Sequence, residues 1–166
     1  MKRIIVLFLV FIIAGCNNQL NDNKQKSEME EDKNIDIAKN YLEELGYDVI
    51  SYETKGSLLF TKSDLLDLPG EQIWGVQYTE PDNFLNKEIN TVSFMVKNHP
   101  LDNLFNMGKT NATVLIFNEE VIGGWSFPHS KEPLIGAFYS IDGKTMEEIH
   151  GDLQKWRDEW ENKYKN

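Results

Sequence analysis

The residues of this chain whose types could do chemistry are three histidines, a serine beside two glycines, scattered carboxylates and a single cysteine. His99, His129 and His150 invite a metal or acid–base reading. None stands at HxH, HExxH or HxxxH spacing from another, so no ligand motif forms. Ser126 follows Gly123-Gly124-Trp125 but lacks the GxSxG elbow that exposes a nucleophile. Glu119 and Glu120 fall at a predicted hairpin tip, and Asp64 and Asp67 flank a predicted helical turn. Separated carboxylates alone do not define a glycosidase. There is no phosphate-cradling glycine loop and no EF-hand loop. The sequence thus offers no catalytic residue, no metal site and no cofactor site. One stretch holds a candidate ligand groove: Trp125, Phe127 and His129 after the glycines, with Tyr139 further on. Polar-tipped aromatics near glycines can hold a peptide or a glycan. Ordinary burial tendencies favour the rival reading, in which Trp125 and Phe127 pack under the C-terminal helix.

The cysteine belongs to a different argument. The chain starts Met1-Lys2-Arg3, runs apolar from Ile4 to Ala14, and reaches Gly15 and Cys16. Two cations, a short apolar core and a small-residue site describe a secretory signal peptide. Ile4 to Gly15 is twelve residues, well short of the ~20 that cross a bilayer. Ile13-Ala14-Gly15-Cys16 resembles the bacterial lipobox. That resemblance implies cleavage between Gly15 and Cys16, a thioether-linked diacylglycerol on Cys16 and often an N-acyl chain such as palmitate. Two or three buried acyl chains, at ~0.8 kcal/mol per CH₂, anchor stably where one would not. As the sole cysteine, Cys16 leaves the chain without an internal disulfide or a CxxC pair.

Processing would move the net charge from −10 to −12, because residues 1–15 contain Lys2 and Arg3 and no acid. So acidic a chain is repelled by nucleic-acid phosphates, and nucleic acid is excluded as a partner. Anionic headgroups repel it too, which leaves the lipid to hold it to the bilayer. Residues 16–34 are the lipidated cysteine and a polar tether with Leu20 and Met29 as its only apolar side chains. Such a segment cannot bury enough surface to offset the entropy of ordering. Its eighteen residues after Cys16 span ~24 Å as a coil and ~60 Å fully extended.

Residues 35–166 have the length of one domain. Ile35, Ala38, Tyr41, Leu42 and Leu45 share a helical face, with Gly46 placed to end the helix. Strands are predicted over 47–52, 56–61, 73–78, 90–97, 112–117, 121–127 and 134–141, with a helical turn capped by Ser63 and stopped by Pro69-Gly70. Gly123-Gly124 inside a strand predicts a bulge or a close backbone approach. Thr145 and Glu148 form a capping-box pattern. Ile149, Leu153, Trp156, Trp160 and Tyr164 then make an aromatic-rich helical stripe, interrupted at Gly151 with Asp152 as a second cap. The expected fold is α+β: an antiparallel sheet with an N-terminal helix and the C-terminal helix packed on it.

Four segments carry a resemblance: Tyr41 to Val49, Gln72 to Gln77, Val96 to Asp102 and Ala112 to Gly124. Together they resemble small uncharacterised lipoproteins of Bacillus-type Gram-positive bacteria. The resemblance spans most of residues 35–145 and implies a domain of unknown function, with no catalytic residues to carry over. The sequence-level expectation is a lipid-anchored module on the outer face of the cell membrane. It would be a non-enzymatic binding or accessory protein whose partners are the bilayer and an envelope protein or ligand. The rival expectations are a hydrolase of envelope polymers using paired carboxylates, and a regulator or inhibitor of an exported peptidase.

Overall fold

The computed structural model of the chain describes residues 33–165. The expected signal peptide, Cys16 and the expected tether up to residue 32 lie outside the described residues. Helix α1 covers residues 33–44, so it includes two residues that the sequence assigned to the tether, and Asn34 is already buried. Ala38 and Leu42 are fully buried, with Ile35 and Tyr41 packed beside them. Gly46, at φ +87°, ends the helix, and the Tyr47 N–H turns back to the Leu42 carbonyl.

Five antiparallel strands follow in the order β1-β2-β3-β4-β5, a plain meander. They are β1 (Asp48–Leu59), β2 (Glu88–Lys97), β3 (Thr110–Phe117), β4 (Glu120–Pro128) and β5 (Tyr139–Ser140). Period-2 alternation gives the sheet two apolar faces. Val92, Phe94 and Val96 of β2 lie beside Val114, Ala112 and Thr110 of β3, and this face is covered by α1. On the other face Ile89 and Leu115 meet Phe60, Leu65, Trp74, Trp160 and Tyr164. Helices α2 (Gly70–Gly75), α3 (Met146–His150) and α4 (Leu153–Tyr164) complete the fold. The Trp160 indole donates to the Leu65 carbonyl at 2.7 Å, which lets a large apolar ring be buried without orphaning its N–H. The α+β class and the packing of the aromatic C-terminal helix are as the sequence predicts. Among the described residues no helix is long and apolar enough to cross a membrane.

Several local expectations are corrected. The strands expected over 47–52 and 56–61 are one strand, β1. Register shifts at Ile50 and Glu53 absorb the irregularity that reads as a break. Ile73 to Tyr78 is not a strand: Gly70–Gly75 is helical, and Ile73, Trp74, Gly75 and Val76 are all buried. A short apolar run buried all round has no period to distinguish the two states. Pro69-Gly70 therefore opens a helix as well as closing one. Ser63 does not cap its 3₁₀ turn; the Asp64 carboxylate takes the Thr61 N–H and hydroxyl instead. The last strand shrinks from 134–141 to Tyr139–Ser140. The capping box at Thr145 and Glu148, the Gly151 break and the Asp152 cap form as predicted.

Candidate functional site

The shortness of β5 leaves a gap beside β4 on the surface. β5 pairs with β4 only at Trp125↔Ser140 and Ser126↔Tyr139. Toward its start, β4 therefore has no strand on its outer edge among the described residues. The first vacant position is filled by a side chain. Gln77, just past α2 and only 6 % exposed, accepts the Gly124 N–H on Oε1 at 2.8 Å and donates from Nε2 to the Ile73 carbonyl at 2.6 Å. One partner can only donate and the other only accept, so the orientation of the amide is fixed.

The two glycines make this approach possible. A Cβ on Gly123 would lie 2.2 Å from Gln77 Oε1, and Gly123 has φ +150° beside the register shift of β4. A Cβ on Gly124 would lie 2.4 Å from the Thr113 carbonyl oxygen. The predicted bulge and close approach are both present.

Beyond Gln77 the open edge becomes a cleft of about 180 Å³, with Val76, Val121, Ile122 and Ile141 as apolar lining and Tyr41, Tyr78 and Thr79 as polar-tipped walls. The Tyr78 hydroxyl donates to Asp142 at 2.9 Å, and Lys144 lies 3.3 Å from the same carboxylate and over the Tyr78 ring. Burial pushes Asp142 upward, but hydrogen bonds from Ser140, Tyr78 and Lys144 outweigh it and hold the carboxyl below its ordinary range. Burial, then the Asp142 charge, raises Tyr41.

Behind the cleft the Ile141 carbonyl accepts from the Tyr47 hydroxyl at 3.2 Å and from His99 Nε2 at 3.0 Å. His99 Nδ1 accepts the Leu101 N–H at 3.1 Å, so the ring carries its proton on Nε2 and is neutral. Burial lowers the His99 pKa from its usual value and raises Tyr47 to about 12. Asp102 ties off this node, accepting from the His99 N–H and the Thr110 hydroxyl.

At neutral pH, then, Asp142 stays ionised, Tyr41 and Tyr47 stay protonated, and His99 stays neutral. General acid–base catalysis needs a group whose pKa lies near the working pH and within reach of a substrate proton. These four are each displaced away from that role, and Asp142, Tyr47 and His99 are each hydrogen-bonded to a neighbour. What the site presents is shape, aromatic surface and backbone.

The candidate groove residues are placed as follows. Trp125 and Phe127 are half-buried against Phe138, with ring centroids 5.4 and 6.1 Å away. Tyr139 pairs with Ser126, which puts it on the opposite sheet face from Trp125. His129 lies past the end of β4, half-buried. The structure brings the first two together and leaves Tyr139 apart from them. Ser126 is fully buried and donates to the Ser140 carbonyl at 2.7 Å, so it is a structural residue and not a nucleophile. His150 stacks on Trp156 and bonds the Gly75 carbonyl. Among the described residues no group of three His, Cys, Asp or Glu side chains is placed to hold a metal ion.

Gln77, Tyr78, Tyr41 and Asp142 have no motif in the sequence. The one legible signal for the cleft was the glycine pair opposite Gln77. A comparison of the chain with protein-family models, with curated proteins and with solved structures finds no match.

Proposed function

We propose that the chain is a non-enzymatic binding or accessory module of the cell envelope, held to the outer face of the cell membrane by lipid on Cys16. The anchoring half rests on the lipobox-like Ile13-Ala14-Gly15-Cys16 and the short apolar run before it. The binding half rests on one observation. The cleft beside β4 is open and lined with apolar and aromatic groups, while Asp142 and His99 are shifted down and Tyr41 up from their ordinary pKa values, each away from neutral pH. Such a place binds through contact and backbone, without moving protons.

The hydrolase reading is separable by experiment, because Asp142 is the carboxylate at the cleft rim. Purified full chain is mixed with isolated cell-wall and membrane fractions, alongside Asp142→Asn. The binding reading expects saturable co-sedimentation and no soluble product from either protein. Release of product that Asp142→Asn abolishes would overturn it.

A further inference from the structure

The geometry points to an extended peptide segment of a partner protein as the ligand of the cleft. The segment would pair with the open edge of β4 in line with β5 and place one large apolar side chain inside. This inference rests on the cleft being a binding site.

Three observations carry it. The first is the sheet edge. β5 occupies only Trp125 and Ser126 of β4, and no described residue pairs a backbone group with the outer edge of β4 from Glu120 to Gly123. An exposed edge is a row of backbone donors and acceptors at strand spacing, which an extended chain satisfies and a small solute does not.

The second is Gln77. Its carboxamide is chemically a peptide group, and it already makes the bond a sixth-strand residue would make, taking the Gly124 N–H at 2.8 Å. The edge thus accepts a peptide-like amide in the protein's own structure. Gln77 is buried and held from behind by Ile73, so it sets where an incoming strand must stop.

The third is size and charge. A cleft of about 180 Å³ compares with the ~150 Å³ of a cavity that holds one benzene. Sites for whole drug-sized ligands begin near ~300 Å³. One aromatic or branched side chain fits, with Val76, Val121 and Ile141 as its contacts. The rim charges Asp142 and Lys144 pair with each other at 3.3 Å, so neither is left free to recruit an ionic ligand.

The test uses ¹⁵N-labelled full chain in mild detergent and a capped pentapeptide of alternating Thr and Val with a central Phe. Three controls accompany it: the peptide methylated on alternate backbone nitrogens, the peptide with a central Asp, and the Tyr78→Ala protein. Tyr78 is mostly exposed, so its loss leaves the core intact. The expected result is saturable shifts of the Val121, Ile122 and Gly123 amides. Affinity should drop about tenfold or more with each control, the scale of one lost hydrogen bond or contact. Equal binding of the methylated peptide would overturn strand pairing. Absence of any saturable shift, where a photo-reactive group at Thr79 still traps a partner in cells, would overturn the peptide assignment and leave the binding reading standing. Silence in both experiments would overturn both.

Discussion

The side-chain oxygen of Gln77 sits 2.8 Å from the Gly124 nitrogen and closes a sheet edge that no strand among the described residues reaches. Both of its amide bonds are buried, so each end removed leaves a backbone group without a partner. Gln77→Ala is expected to cost about 2–4 kcal/mol, at ~1–3 kcal/mol per unsatisfied buried group. Gln77→Glu should cost more, since a carboxylate cannot donate to the Ile73 carbonyl 2.6 Å away. Urea denaturation of both variants measures this; a loss under ~0.5 kcal/mol would show that water replaces the amide freely.

Gly123→Ala tests the same contact from the other side. The added methyl would lie 2.2 Å from Gln77 Oε1, on a backbone with φ +150°. The expected loss is about 2–3 kcal/mol, of which part is backbone strain. In the double variant with Gln77→Ala the clash disappears and the strain stays. The two losses should therefore sum to more than the double loss by ~1 kcal/mol or more. Strict additivity would mean that the two residues do not press on each other.

Stability should fall as pH drops from 7 to 5, through His99. Burial holds its folded-state pKa below the unfolded value of about 6.5. Between those two values the unfolded chain binds the extra proton, so stability decreases with falling pH and levels off below the folded pKa. Protonation would also cost the Leu101 N–H its acceptor. Asp142 acts in a separate window. Its folded pKa is depressed, so its contribution is lost only at more acid pH, as the carboxyl titrates. His99→Gln should be less stable at pH 7 and show a shallower slope between pH 7 and 5. An unchanged slope would assign the pH dependence elsewhere.

The fold was legible where one physical signal acted alone. Val92, Phe94 and Val96 alternate cleanly and face α1, and Thr145 with Glu148 caps α3 as the spacing says. It was illegible where burial is complete on every side. Ile73-Trp74-Gly75-Val76 carries no period, because both sides of the segment meet other elements. The stretch 134–141 reads as a strand by composition, yet only Tyr139 and Ser140 find partners on β4. The cleft follows from that same shortfall. Sequence marked its glycines, through the close approach they permit, and had no means to mark Gln77, whose role depends on a contact 47 positions away.

Cys16→Ala separates anchoring from binding. The account expects the variant to keep its leader, run heavier by the fifteen uncleaved residues and lose incorporation of a labelled fatty acid. A variant of mature size that still sediments with membranes would contradict lipid anchoring.

The most direct measurement of the central claim is photo-crosslinking in intact cells from two positions of the full chain. Thr79 lines the cleft, and Ser57 lies on β1, at the other edge of the sheet. The account predicts a discrete adduct from Thr79 that falls about tenfold when Tyr78→Ala is added, and none of that adduct from Ser57. No adduct from Thr79, or the same adduct from both edges, would contradict the cleft as the place where this protein meets its partner.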